Sequence, residues 1–295
     1  MEARTKQPVT GALPPTLLEM RMFARHLAGR TSAALIIAAI TVSSYAQAPK
    51  SEFKPEVGQA GKDVVWVPSP QQLVDKMLEM ARVTPKDYLI DLGSGDGRTV
   101  ITAAKRGTRA MGIEYNPDMV ALSTRNAAAA GVSDKASFVE GDIFKTDFSR
   151  ATVITLFLLT DLNLKLRPTI LNLKPGTRIV SNTFRMGEWE PDQTVELGCD
   201  SYCTAYLWIV PARVEGRWQT AQGELTLKQE FQKFSGTLKS GNVVAPISKG
   251  SLQGDQISFV AGGAEYRGRV SGNMIEGTVK SSGKSQGWKA ARPPS

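Results

Sequence analysis

The feature that most constrains this chain is a glycine-rich turn placed at the end of an apolar run. Tyr88-Leu-Ile-Asp91-Leu92 has the length and composition of a buried strand, and it runs directly into Gly93-Ser94-Gly95-Asp96-Gly97-Arg98. Glycines at such a point let the backbone approach a ligand and leave free N–H groups at the start of the next helix. The spacing is not the dinucleotide fingerprint G-x-G-x-x-G, because Arg98 occupies the place of the third glycine. An acid just ahead of the glycines, Asp91, would repel a pyrophosphate and suits an ammonium group.

The surrounding pattern repeats this strand-then-helix logic. Further strands are expected at Arg109–Glu114, Ala136–Glu140, 152–159 and 177–181. One helix is expected to start with Ser69 as its N-cap and Pro70 as its first residue, with Leu73, Met77 and Met80 on one face. Another should open at Pro117, run through Met119, Val120 and Leu122, and stop at Gly131. Alternation of this kind predicts an α/β fold, a doubly wound and mostly parallel sheet covered on both faces.

Two more acids end the next two strands. Glu114 is placed where a carboxylate accepts the two hydroxyls of a ribose. Asp142, in Gly141-Asp142-Ile143, follows the third strand, where it could accept an adenine amine while Ile143 covers the ring. Three acids at the ends of three successive strands describe a ligand with an ammonium, a ribose and an adenine but no phosphate. That ligand is S-adenosylmethionine.

On these residues the chain resembles the class I S-adenosylmethionine-dependent methyltransferases, which have a Rossmann-like fold. Val67-Pro-Ser-Pro-Gln-Gln72, the glycine turn, Gly112-Ile-Glu-Tyr115-Asn-Pro117 and Trp189-Glu-Pro-Asp192 are together similar to the lysine methyltransferases of the ATP-synthase c-subunit and the nucleotide translocase, and to their bacterial relatives. The resemblance spans roughly residues 65–211. It implies Asp91, Gly93, Gly95, Glu114 and Asp142 as cofactor contacts, beside which Ser94, Tyr115 and Ile143 are expected to line the same site, and a protein substrate with an accessible lysine or a small-molecule acceptor. One departure narrows the acceptor. Amide and adenine methyltransferases carry Asn/Asp-Pro-Pro-aromatic after the fourth strand, whereas this chain has Leu156-Phe157-Leu-Leu-Thr160.

The expected chemistry is in-line methyl transfer, for which the cofactor brings the activated methyl and the protein brings position. A lysine acceptor must lose its proton, and an apolar slot favours the neutral amine. Phe157 and Trp189 are the candidates for that slot, although both also suit a core. Asp96 is the candidate proton acceptor, and capping the following helix would account for it equally.

Inventory excludes other chemistry. The chain has one histidine, His26, and two cysteines, Cys199 and Cys203. His26 lies in a segment that reads as a cleaved signal, so the mature chain is expected to have no histidine; a Ser-His-Asp hydrolase, a Cys-His protease and a His-ligated zinc site then lack their residues, and no metal is expected. The Cys-x-x-x-Cys pair suits either a local disulfide or two free thiols. Arg21, Arg25 and Arg30 precede an apolar run at 33–40, and Ser44-Tyr-Ala46-Gln-Ala48 follows, which is the order of a secretory signal. The expected organisation is a signal peptide with an upstream extension at 1–46 and a linker at 47–62. The cofactor-binding methyltransferase domain occupies 63–211, and a small antiparallel all-β domain 212–295.

The last block holds 13 of the 27 glycines and carries 12 basic against 6 acidic residues. Its charges are scattered singly and no aromatic run interleaves them, so nucleic acid is not an expected partner. A weak repeat, apolar-x-Gly-x-apolar, occurs at 214–218, 234–238, 266–270 and 275–279. It predicts a meander or barrel of about six bent strands. Two functions compete: an exported or envelope-associated methyltransferase, anchored if its signal stays uncleaved, and an exported nucleoside-binding module without turnover.

Overall fold

The computed structural model describes residues 53–199 and 201–293. The signal-peptide segment at 1–46 lies outside the described residues, as do the first six residues of the expected linker. The first half is a seven-stranded sheet with four helices. The strands are β1 (Tyr88–Leu92), β2 (Arg109–Glu114), β3 (Ala136–Glu140), β4 (Val153–Leu156), β5 (Arg178–Asn182), β6 (Gln193–Glu196) and β7 (Thr204–Ile209). The helices are α1 (Gln71–Met80), α2 (Arg98–Lys105), α3 (Pro117–Ala129) and α4 (Thr160–Ile170). The sheet order is β3-β2-β1-β4-β5-β7-β6, with β1 to β5 parallel and β7 antiparallel to both neighbours.

Side-chain alternation along β1 builds both cores. Leu89 faces a cluster shared with Leu73, Met77 and Met80 of α1 and Val100 of α2, whereas Ile90 and Leu92 face a second cluster with Leu166 and Ile170 of α4. Each such side chain, once fully buried, contributes about 1.5–3 kcal/mol. Chain order reverses between β1 and β4, so a crevice opens outside their carboxyl ends, the usual ligand position in such sheets.

Three local expectations are corrected. Pro70, not Ser69, is the N-cap of α1; the Ser69 hydroxyl instead accepts a hydrogen bond from the Asn182 amide at 3.0 Å. The fourth strand ends at Leu156, because Phe157, Leu158 and Leu159 leave the sheet to line the crevice before α4 begins. The C-terminal block is a closed barrel of eight strands rather than about six: β8 (Gly216–Thr220), β9 (Gly223–Glu230), β10 (Lys233–Ser240), β11 (Val243–Gln253), β12 (Gln256–Ala261), β13 (Ala264–Ser271), β14 (Met274–Ser281) and β15 (Lys284–Ala291). The apolar-x-Gly-x-apolar units put two apolar side chains on the inner face with a glycine between them. At Gly277 a Cβ would collide with the backbone of Arg267 and Gly268 across the ladder, so the absence of a side chain lets the strands bend tightly.

Candidate active site

The glycine turn is held from below by β2. The N–H groups of Gly93 and Ser94 both donate to the carbonyl of Ile113, at 2.9 and 3.1 Å. Gly93, Gly95 and Gly97 all have positive φ, which an L side chain would strain. At Gly95 a Cβ would also meet the Trp66 indole nitrogen at 2.7 Å, so this indole lies directly on the turn.

Three carboxylates converge on the crevice that this turn lines. Asp91 is buried, and the Thr155 hydroxyl donates to one of its oxygens at 2.6 Å. No basic side chain among the described residues pairs with it. Burial pushes its carboxyl up to about 7, against the Thr155 hydrogen bond, and the nearby charges of Glu114 and Asp96 add to the rise. Glu114 is clamped by backbone: Gly95 N–H donates to Oε2 at 2.9 Å and Asn116 N–H to Oε1 at 3.0 Å. A carboxylate offers about four lone-pair sites, so each oxygen keeps one for a hydroxyl. Asp142 accepts from Phe144 N–H at 2.9 Å, and this bond holds its carboxyl below the usual range, with Lys62 at 3.5 Å reinforcing it.

Every expected cofactor contact, from Asp91 and Gly93, Ser94 and Gly95 to Glu114, Tyr115, Asp142 and Ile143, lines this one crevice. The slot and acid candidates divide. Phe157 lines it. Asp96 reaches the rim, but Arg98 occupies its carboxylate through Nε at 3.0 Å and Nη2 at 2.6 Å, while Arg98 Nη1 donates to the Ser69 carbonyl at 2.8 Å. The Asp96 carboxylate therefore braces the entry to α2 rather than standing free for a proton. Trp189 is a correction. It is fully buried away from the crevice, stacked on Phe231 with ring centroids 6.0 Å apart and beside Trp208. Phe231 belongs to the β9–β10 turn, so Trp189 cements the barrel to the sheet.

The crevice also contains residues that the sequence reading missed. Gln59–Lys62, expected to be linker, lines it. The segment folds back on itself through an Ala60–Val65 bridge, and the Lys62 ammonium lies 5.3 Å from the Tyr115 ring centre. Phe184 and Tyr202 line the crevice beside Phe157. Cys199 and Cys203 are disulfide-bonded, their Cα atoms 5.8 Å apart. The sequence signal for Phe184 was an aromatic residue just past a strand end, which pattern reading assigns to the core, and nothing local marked Gln59–Lys62 or Tyr202.

A sequence model of the ANTKMT methyltransferase domain matches residues 91–193. A protein-lysine N-methyltransferase of Saccharolobus islandicus is 41% identical over 151 residues, covering 50% of this chain and 94% of that one. The chain belongs to the ANTKMT methyltransferase family. It is an S-adenosylmethionine-dependent methyltransferase. The mouse lysine N-methyltransferase named for the ATP-synthase c-subunit is 35% identical over 137 residues, which span 46% of this methyltransferase and little more than half, 55%, of the mouse protein. An RNA methyltransferase from Salinibacter ruber, solved in complex with S-adenosyl-L-homocysteine, is 50% identical, covers 50% of this chain and 96% of its own, and superposes with a TM-score of 0.48. The family match ends at residue 193, before the barrel of this methyltransferase begins.

The donor set fits the cofactor. Asp91 is a buried acid that lacks a cation, and an amino-acid ammonium supplies one. Ser94 Oγ, in the crevice wall, is buried with no hydrogen-bond partner.

Proposed function

We propose that this methyltransferase modifies lysine side chains of protein substrates. What carries the reading is that one crevice is lined both by the three carboxylates and by the rings of Phe157, Phe184 and Tyr202. Lysine acceptors in the names of the archaeal and mouse relatives support the same class.

Asp91 would hold the ammonium of the amino-acid part, Glu114 the ribose diol, and Asp142 the adenine amine, with Ile143 and Tyr115 bounding the ring. S-adenosylmethionine, when bound, supplies a methyl group already activated by its sulfonium. The remaining work belongs to the chain. Backbone clamps on Glu114 and Asp142 fix the carboxylates before a ligand arrives, so little reorganisation is needed on binding. Trp66 and the Gln59–Lys62 segment exclude water from above the glycine turn. Leu156, Leu158 and Leu162, which line the same crevice, give an incoming amine an apolar floor. A free lysine has a pKa of about 10.4, and desolvation there favours its neutral, nucleophilic form. The proton leaves to solvent before the amine seats, so no imidazole base is required. The walls then hold the nitrogen in line, with reacting atoms roughly 3–3.5 Å apart.

We also infer that the protein works outside the cytosol. The basic, apolar, then small-residue order of residues 21–48 supports this, and a disulfide suits an oxidising compartment. Fractionation with N-terminal sequencing tests it: a native start near Gln47 in the envelope fraction is expected, and an intact residue 20–46 segment in a cytosolic protein would refute it.

The function is tested by incubating the purified chain with methyl-labelled S-adenosylmethionine and a cell-envelope lysate. Label recovered as methyl-lysine after acid hydrolysis is expected. Cofactor binding with no transfer to any protein would favour the nucleoside-binding module instead.

A further inference from the structure

The acceptor end of the crevice is built from three rings on three separate segments. Phe157 follows β4, Phe184 follows β5, and Tyr202 precedes β7. Phe157 and Phe184 lie nearly parallel, at 28°, with centroids 6.1 Å apart. Tyr202 stands edge-on to Phe157, with centroids at 5.2 Å and planes at 68°. All three line the crevice, and Tyr202 is also open to solvent.

Their placement is enforced at a cost in local conformation. Thr183, just before Phe184, has φ +62°, and Tyr202 itself has φ +55°; neither is a residue that adopts the left-handed region readily. The Phe184 carbonyl is held by the Ser181 hydroxyl at 2.7 Å and by the Asn163 amide at 3.2 Å. Tyr202 sits inside the loop closed by the Cys199–Cys203 disulfide, and Leu197 N–H donates to the Cys203 carbonyl at 2.9 Å to complete the closure. Strained backbone that the surroundings hold in place tends to mark a working site. Aromatic faces at the mouth of an apolar slot attract a cation through their quadrupoles, and substituted ammonium groups most readily, because they are weakly hydrated.

We propose that Phe157, Phe184 and Tyr202 form a cage for the side-chain ammonium of the acceptor and its methylated products, and that the disulfide is the tether presenting Tyr202 to it. This rests on the lysine reading above and names its recognition element. A cage of this kind binds the acceptor as a cation at the mouth, then passes it, deprotonated, to the apolar floor. It also accommodates mono- and dimethylated amines, so the product of one transfer can re-enter for the next.

The test is a solution NMR titration of the full chain with n-butyltrimethylammonium, and with n-pentanol as its uncharged comparator. Each is run with and without S-adenosylhomocysteine, whose own affinity is measured by calorimetry. Saturable binding of the cation in preference to the alcohol is expected. Tyr202→Phe should bind the cation as the natural chain does. Tyr202→Ala should weaken it roughly fivefold or more, the loss of one ring from a partly desolvated cage. Cys199→Ser with Cys203→Ser should weaken it several-fold as well, while leaving the affinity for S-adenosylhomocysteine unchanged. Cation binding that is absent, no better than that of the alcohol, or within twofold in Tyr202→Ala overturns the cage. Equal binding by the double serine variant overturns the tether. Cation binding without any affinity for S-adenosylhomocysteine would overturn the cofactor assignment and leave the cage standing.

Discussion

The two halves of this molecule bury different things. Every buried polar or charged side chain among the described residues lies at or before Asn182, in the half that forms the crevice. The barrel buries none. Its interior is aromatic and aliphatic, with Phe259 stacked on Tyr266 and edge-on to Trp288. Its two indoles donate to backbone, Trp218 to the Val214 carbonyl at 2.7 Å and Trp288 to the Arg267 carbonyl at 3.0 Å. Of the buried side-chain atoms without a partner among the described residues, Ser94 Oγ lines the crevice, whereas Asn163 Oδ1 and Trp189 Nε1 lie outside its lining. The barrel shows the alternative, an apolar interior whose indoles are satisfied from within. None of its residues lines the crevice.

The sharpest test of this contrast exchanges core residues for alanine. Phe259→Ala in the barrel and Trp189→Ala at its junction with the sheet should each cost about 3–5 kcal/mol in denaturant unfolding. S-adenosylhomocysteine affinity, measured by calorimetry on the folded fraction, should stay unchanged in both. A selective loss of cofactor affinity in Trp189→Ala would return that residue to the site.

Glu114→Ala comes next in size. It removes the acceptor for Gly95 and Asn116 N–H as well as for the ribose, and hydrogen bonds to charged groups contribute about 1.5–3 kcal/mol each. Calorimetry with S-adenosylmethionine should show affinity lowered by about a hundredfold or more while the far-ultraviolet circular dichroism is kept. Unaltered affinity would break the proposed division of labour among the three acids.

Asp91→Asn should move stability and binding in opposite directions. The folded carboxyl, at about 7, lies above its unfolded value of 3.8, so the folded state holds the extra proton between these limits. Stability is therefore fullest below about pH 4 and is lost as pH rises through about 7. Asparagine removes that loss while keeping an oxygen for the Thr155 hydroxyl. At pH 8 the variant should melt a few degrees higher and bind S-adenosylmethionine at least tenfold more weakly. A lower melting temperature would show that the carboxylate is stabilised by something other than a ligand.

The smallest effect is a proton count. An ammonium against Asp91 favours its ionised form, so with a carboxyl at about 7 the binding of S-adenosylhomocysteine at pH 6.5 should release roughly three-quarters of a proton, and at pH 8.5 almost none. Comparing binding enthalpies in phosphate and Tris buffers at each pH measures this. Equal enthalpies at pH 6.5 would place the ammonium elsewhere.

Much of the sheet half was legible because local chemistry and global fold agree there. β1, β2 and β3 lie where short apolar runs predict them, and Pro117 and Gly131 bracket α3 as the rules for helix ends require, with the Asn116 side chain accepting from Asp118 N–H at 2.9 Å. The acids were legible because strand ends fix where a side chain emerges. The aromatics were not. Phe157 stands among leucines in sequence and lines the crevice, whereas Trp189 stands between Glu188 and Glu190 and is sealed beneath Phe231.

The sequence by itself therefore determined the strand–helix alternation, the glycine turn and the three carboxylates that name the cofactor, because each depends on spacing within one strand or turn. Only the tertiary structure decided which rings line the crevice, that residues 59–62 line it too, and that eight bent strands close into a barrel. Those outcomes depend on which surfaces distant segments bury against one another, and no local pattern carries that information.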